Sequence, residues 1–357
     1  MIPVTKTYFP SLEHYQMTLQ NIWDSGWLTN RGDGIKLLEK RIQEYLQTPS
    51  LIAMNNGTTP IQIALKILGN KGEIITTPFS YVATTSAIVW EECTPVFVDI
   101  HPDTLTIDAS KIENSITEKT TCILATHVFG NACEVEKIEA LAKKYHLKVI
   151  YDAAHCFGTK YKGASIFHWG DVATCSFHAT KIFHTAEGGA LFTKDQAIFN
   201  KAFQLHNFGH ITPETFEFAG INGKISELHA AMGLCILDDF ALITRERTKI
   251  VQLYNQALSF NGFQTQSISP DTETNGSYYP IWFDSHETMS NVLHKLNEVQ
   301  IYPRRYFYPS LNTLPYLPFM SCPISEKISQ NILCLPLYVG LTEDIILEIC
   351  NIINSNA

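Results

Sequence analysis

The sequence has no apolar run long enough to cross a membrane, no block of basic residues and no Cys-x-x-Cys pair. The apolar stretches are short, Val96-Phe97-Val98 among them, and all fall far short of the roughly 20 residues a membrane-spanning helix needs. The opening Met1-Ile2-Pro3-Val4-Thr5-Lys6 lacks the apolar core of a signal peptide, so a soluble, cytoplasmic protein with no membrane partner is expected. Lys and Arg total 26 against 35 Asp and Glu, a formal net charge of −9, which makes nucleic acid an unexpected partner. The nine cysteines, at 93, 122, 133, 156, 175, 235, 322, 334 and 350, stand singly, several inside apolar runs where a thiol packs as a small hydrophobe. They read as reduced and structural. Without clustered Cys and His there is no zinc pattern, and no metal is expected.

What is present is an ordinary globular composition, 45% hydrophobic and 17% charged, in a chain of 357 residues, enough for two domains or one large one. From about residue 50 to 200, short β-branched runs alternate with helical patterns, the signature of parallel strands joined by helices and buried on both faces. Leu51–Met54 ends at Asn55-Asn56-Gly57-Thr58-Thr59, and a helical pattern through Ile61, Ala64, Leu65 and Leu68 follows, closing at Gly69. Further strands are predicted at Glu73–Thr77, Pro95–Val98, Thr121–Thr126, Lys148–Tyr151, Val172–Phe177 and Gly189–Thr193, with an amphipathic helix over Glu134–Tyr145. After Arg245 the texture changes to a helix, a strand over Tyr278–Phe283, a helix over Glu287–Val299, a Pro- and Tyr-rich loop and a last helix from about Thr342. The expected architecture is α/β: a large domain, 1–240, with a mainly parallel central sheet and an N-terminal arm over 1–30. A smaller α+β domain, 241–357, follows, with Leu237–Arg247 as a hinge helix.

In such sheets function collects at the carboxyl ends of the strands. Lys181 follows a strand, sits in Ser176-Phe-His-Ala-Thr-Lys181 and precedes Glu187-Gly188-Gly189, a strand end and glycine turn rather than an exposed helix face. A loop lysine is ordinarily a solvated surface residue. Two partners set this one apart. Asp152 ends an apolar strand, where a carboxylate serves either as a helix N-cap or as the buried acid that keeps a pyridinium nitrogen protonated, as pyridoxal phosphate chemistry requires. Asn56-Gly57-Thr58-Thr59 opens a helix, where backbone N–H groups, the helix dipole and hydroxyls suit a phosphate dianion, although capping alone also explains the threonines. An amine, an acid for a ring nitrogen and an anion pocket at one sheet edge are more specific together than any one alone.

The ordered set Asn55-Asn-Gly-Thr-Thr59, Pro78-Phe-Ser-Tyr-Val-Ala-Thr84, Thr94-Pro-Val-Phe-Val-Asp-Ile100, Asp152-Ala-Ala-His155, Ser176-Phe-His-Ala-Thr-Lys181, Glu187-Gly-Gly189 and Ser226-Glu-Leu228 resembles the successive signatures of the DegT-type (StrS) nucleotide-sugar aminotransferases. The resemblance runs from Gly26-Trp-Leu-Thr29 to the final helices. It implies the aspartate-aminotransferase fold, fold type I, and pyridoxal 5′-phosphate as cofactor. It further implies Lys181 as the Schiff-base lysine, Asp152 as partner of the ring nitrogen, Tyr81 as the aromatic stacked on the ring and His155 as the neighbour of the ring hydroxyl. Gly57, Thr58 and Ser176 fall at phosphate-binding positions, and Asn222 matches an asparagine lent to the same phosphate by a neighbouring subunit, so a homodimer with shared sites is implied. Lys224 stands where the family usually has arginine, and Ile182-Phe-His-Thr-Ala-Glu187 is a less common form of the stretch after the lysine.

The expected reaction is ping-pong transamination, with glutamate as donor and a nucleotide-linked keto-6-deoxysugar as acceptor. C4 of dTDP-4-keto-6-deoxyglucose is the leading expectation, as in viosamine synthesis for lipopolysaccharide O-antigen, and C3 of a dTDP-3-keto-6-deoxyhexose the alternative. In Tyr302-Pro-Arg-Arg-Tyr-Phe-Tyr-Pro309, Arg304 and Arg305 could pair with a diphosphate and Tyr308 could stack on a base; a purely structural Pro/Tyr loop is the competing reading. A sugar dehydratase of the same fold, which carries histidine in place of the lysine, and a silent binding or regulatory protein are the rival classes. Retention of Lys181 and Asp152 argues against both.

Overall fold

The computed structural model describes residues 1–357. Seven strands, β1 (Ser50–Met54), β2 (Glu73–Thr76), β3 (Thr94–Phe97), β4 (Thr120–Thr126), β5 (Lys148–Asp152), β6 (Val172–Ser176) and β7 (Gly189–Thr193), form one sheet in the order β1-β7-β6-β5-β4-β2-β3. The strands from β6 to β3 are mutually parallel. In β4 the two-residue period sends Ile123 and Ala125 into one apolar cluster and Cys122 and Leu124 into another, each fully buried.

Besides the single helical turn Ala109–Ile112, eight helices belong to this part of the chain: α1 (Leu12–Ser25), α2 (Asp33–Leu46), α3 (Thr58–Leu68), α4 (Val82–Trp90), α5 (Val135–Tyr145), α6 (Gln196–Leu205), α7 (Glu227–Asp238) and α8 (Phe240–Ala257). Apolar residues of α2, α5 and α7 cover the Ile123 side of the sheet, and those of α3, α4 and α6 cover the Leu124 side. Two departures from the sequence reading have physical causes. First, β7 is antiparallel to both of its neighbours. A parallel return needs a crossover of a dozen or more residues, usually helical, and residues 177–188 contain no helix, so the chain doubles back. Second, the hinge helix expected over Leu237–Arg247 is the junction of two helices. Asp239 separates α7 from α8 at φ −89° and ψ −1°, with its carboxylate engaged by the Tyr8 hydroxyl at 3.0 Å, and α8 runs on to Ala257.

A second apolar core draws on residues 250–353. It packs around an antiparallel sheet of β8 (Phe263–Thr265), β9 (Pro280–Phe283) and β10 (Ile332–Cys334), with β9 central, and the helices α9 (His286–Glu298), α10 (Pro323–Asn331) and α11 (Glu343–Asn356) belong to the same region. Ile2 and Pro3 pair in parallel with Ile301 and Tyr302, tying the first residues of the chain to this core. All nine cysteines are unpaired and buried. No helix is long and apolar enough to cross a membrane.

Candidate active site

The carboxyl ends of β4, β5 and β6 open into a cleft of about 270 Å³. Eight of the eleven residues singled out in the sequence line it: Gly57, Thr58, Tyr81, Asp152, His155, Ser176, Lys181 and Arg304. Asp152 is the last residue of β5 and only 5% exposed. Its Oδ2 accepts from the Thr84 hydroxyl at 2.6 Å and its Oδ1 from the Ala154 amide at 3.1 Å. Burial pushes its carboxyl above the usual range, while these donors and the charge of Lys181 pull the other way. Lys181 follows the turn after β6, and its Nζ donates to the Tyr278 hydroxyl at 3.2 Å.

His155 accepts the Phe129 amide at Nδ1, 3.1 Å, so its proton sits on Nε2. Its ring is stacked with those of Phe129 and Phe307, and burial together with the Lys181 charge holds the imidazole well below its ordinary titration range. It is therefore a neutral hydrogen-bond donor. Tyr81 occupies the N-cap position of α4 and leaves 55% of its surface open in the cleft.

An anion cup forms where α3 begins. Asn56 Oδ1 accepts the Thr58 and Thr59 amides, each at 2.8 Å, and the Thr59 hydroxyl donates to Asn55 Oδ1. Capping, which the sequence reading left open, thus takes two of the helix-opening N–H groups and removes the Thr59 hydroxyl from the cup. The hydroxyls of Thr58 and Ser176 and the Gly57 amide remain at the positive end of the helix dipole. A Cβ on Gly57 would sit 2.6 Å from Ser176 Cβ and 2.8 Å from its Oγ, so the cup exists only because position 57 has no side chain.

Arg305, Tyr308 and Asn222 do not line the cleft. Arg305 turns to the Gln330 carbonyl at 2.9 Å and packs over the Tyr308 ring, itself 52% exposed. Asn222 is exposed, with its main chain against the Asn55 side chain. Lys224 bonds Asn207 Oδ1 at 2.8 Å. Sequence reasoning missed Tyr278, which approaches Lys181 from 97 residues away, and Thr84. It also missed the aromatic rings of Phe129 and Phe307 that stack on His155. Thr84 closes the Pro78–Thr84 stretch, but nothing local aims it at Asp152.

The sequence profile of the DegT/DnrJ/EryC1/StrS aminotransferase family matches residues 12–354. The chain belongs to this family. Among its relatives is a dTDP-4-amino-4,6-dideoxy-D-glucose transaminase of Escherichia coli, 38% identical over 366 residues, covering 99% of this chain and 98% of that protein. A GDP-perosamine synthase of Vibrio cholerae is 29% identical, covering 99% of both. The fold superposes on a crystal structure of DesI in the presence of its TDP-sugar product with a TM-score of 0.94 at 28% identity, covering 99% of this chain and 92% of that one. As a DegT-family member the chain is a pyridoxal phosphate-dependent sugar aminotransferase with the type I fold implied by its motifs. The residues fit that cofactor. A hydroxyl-lined cup suits a phosphate, a buried carboxylate suits a ring nitrogen, and a lysine amine lies across the same cleft.

Proposed function

We propose that this enzyme moves an amino group from glutamate to C4 of dTDP-4-keto-6-deoxyglucose, in the cytoplasm, for lipopolysaccharide O-antigen. The observation that carries the chemistry is the placement of Lys181, Asp152 and the Gly57-Thr58-Ser176 cup around one cleft. The choice of sugar is supported by relatives named dTDP-4-amino-4,6-dideoxy-D-glucose transaminase, 38% and 39% identical over 99% and 96% of the chain.

Bound pyridoxal phosphate supplies an electron sink for charge developing at the donor's α-carbon and carries the amino group between the two substrates. The protein's side chains do the rest. Gly57, Thr58 and Ser176 grip the phosphate; Asp152 holds a proton on the ring nitrogen; His155 donates from Nε2 toward the ring hydroxyl; Tyr81 covers a ring face. Lys181 anchors the cofactor, and its Nζ takes and returns the proton of the reacting carbon. Arg304, which lines the cleft and stacks over Tyr306, is suited to the sugar's diphosphate. Arg305, packed over the exposed Tyr308 ring, is assigned with it to the nucleotide.

The working unit in this reading is a homodimer in which Asn222 serves the partner subunit's phosphate. Exposed apolar side chains at Trp23, Trp27, Phe208, Phe216 and Ile221 support it, because surfaces of this kind mark association.

Lys181→Ala should keep the cofactor bound yet lose turnover by about 10³-fold or more. Steady-state rates with dTDP-4-keto-, GDP-4-keto- and dTDP-3-keto-6-deoxyhexoses identify the acceptor. A kcat/KM for either other sugar above that of dTDP-4-keto-6-deoxyglucose overturns the choice of substrate, and full activity in Lys181→Ala overturns the chemistry.

A further inference from the structure

Three buried hydroxyls stand in single file at the floor of the cleft, which Ser80 and Thr126 help to line, and end on Asp152. Thr84 Oγ1 lies 2.6 Å from Asp152 Oδ2, Ser80 Oγ 2.8 Å from Thr84 Oγ1, and Thr126 Oγ1 3.1 Å from Ser80 Oγ. None of the three residues is more than 2% exposed. Proton counting gives the file a direction. An ionised carboxylate only accepts, so Thr84 spends its single proton on Asp152. Ser80 must then donate to Thr84, and Thr126 to Ser80. The reverse sense, which a protonated Asp152 would start, pushes the last proton onto Thr126, whose hydroxyl has no further protein acceptor to receive it. Asp152 Oδ1 meanwhile accepts the Ala154 amide, so both carboxylate oxygens are committed to accepting. Hydrogen bonds aligned in this way polarise one another.

We propose that the Thr126-Ser80-Thr84 file is a positioning device that keeps Asp152 ionised and so holds the cofactor's shared proton on the ring nitrogen. The inference rests on Asp152 being the nitrogen's partner. Charge support for Asp152 is otherwise sparse. Lys181 faces it across the cleft and His155, on the segment after β5, is neutral. Cys156 and Cys175, close enough to feel its charge, are thiols that burial keeps protonated. Against the cost of burial the carboxylate therefore has one distant cation, one amide and this file. The file is drawn from three places, the turn before α4, α4 itself and the end of β4, so no one element accounts for it.

Thr84→Val keeps the shape and removes the donor. Reconstituted with pyridoxal phosphate labelled with ¹⁵N in the ring, this variant should show a ring-nitrogen resonance moved toward the unprotonated position. In cofactor-free protein, the ¹³C titration midpoint of the Asp152 carboxyl, identified by its loss in Asp152→Asn, should rise by about one pH unit, or about tenfold in proton affinity. The rate constant of the glutamate half-reaction should fall about tenfold while its half-saturation concentration stays within about twofold. Thr84→Ser should restore all three, and Ser80→Ala should give smaller shifts of the same sign. Should Thr84→Val fail to fold, Ser80→Ala carries the comparison. Wild-type resonance and midpoint in both hydroxyl variants, with Asp152→Asn moving the resonance, overturn the proposal and leave Asp152 in place. An unmoved resonance in Asp152→Asn overturns the Asp152 reading and the proposal with it.

Discussion

His206 is 3% exposed, and its Nδ1–H donates to the Phe203 carbonyl. Burial, with the charges of Lys224 and Arg31 nearby, pulls the imidazole down to about 4. The unfolded chain returns it to about 6.5, so between those values the unfolded state binds the extra proton. The sign follows: stability is present above pH 6.5 and is lost as the pH falls through that value. His206 alone should cost roughly 1 kcal/mol on going from pH 7.5 to 5.5. Buried His127, drawn down to about 3, and His155, drawn down in the same direction, add to the slope. In His206→Asn, whose amide can replace the Nδ1 donor but does not titrate, the thermal midpoint should drop less between pH 7.5 and 5.5 than in the wild type. Equal drops would mean that the site does not take up a proton on unfolding.

The start of α3 shows how one element builds a binding cup. Gly57 has φ −79°, a conformation any residue adopts, so what position 57 forbids is bulk rather than a backbone angle. Gly57→Ala should leave the fold intact and weaken pyridoxal phosphate binding at least about tenfold, read by absorbance titration. Gly57→Ala with Ser176→Gly should lose less than the sum of the two single variants, because the clash is between those two positions while the Ser176 hydroxyl is forfeited only once; additive losses would place the cost elsewhere. The cup was legible because Asn-Asn-Gly-Thr-Thr between an apolar run and a helical period marks a strand, a turn and a cap in one place. Asp152 and Lys181 were legible for a similar reason, Asp152 ending an apolar strand and Lys181 following one in the stretch before Glu187-Gly188-Gly189. The direction of β7 was not, since an apolar run of five reads alike in either sense and only the missing crossover helix decides. The break at Asp239 was hidden within continuous helical periodicity. Short strands such as Phe263–Thr265 and Ile332–Cys334 carry too few residues for a period, and Tyr278 and Thr84 gain their meaning only from tertiary approach.

At the scale of the whole molecule, the question is whether one chain makes a complete site. Asn222 lies outside its own cleft's lining, in a segment that exposes Phe208, Ile211, Phe216 and Ile221. A two-fold assembly would bury such a face against its copy, and any residue that reached across would serve the other subunit's cofactor. This arrangement makes a distinctive demand on mixtures. Lys181→Ala subunits lack the amine but carry Asn222, whereas Asn222→Asp subunits carry the amine but present a carboxylate to the partner's phosphate. Each homodimer should be inactive or nearly so. Unfolded together and refolded at equal concentration, random pairing makes half the dimers mixed, each with one intact site of two, so activity should return to roughly a quarter of the wild-type value. If Asn222 instead served its own chain, every site in every dimer would carry one lesion and mixing would restore nothing. A mixture that stays silent, with mixed dimers verified by native mass spectrometry, therefore rejects the shared site while leaving the chemistry of Lys181 untouched.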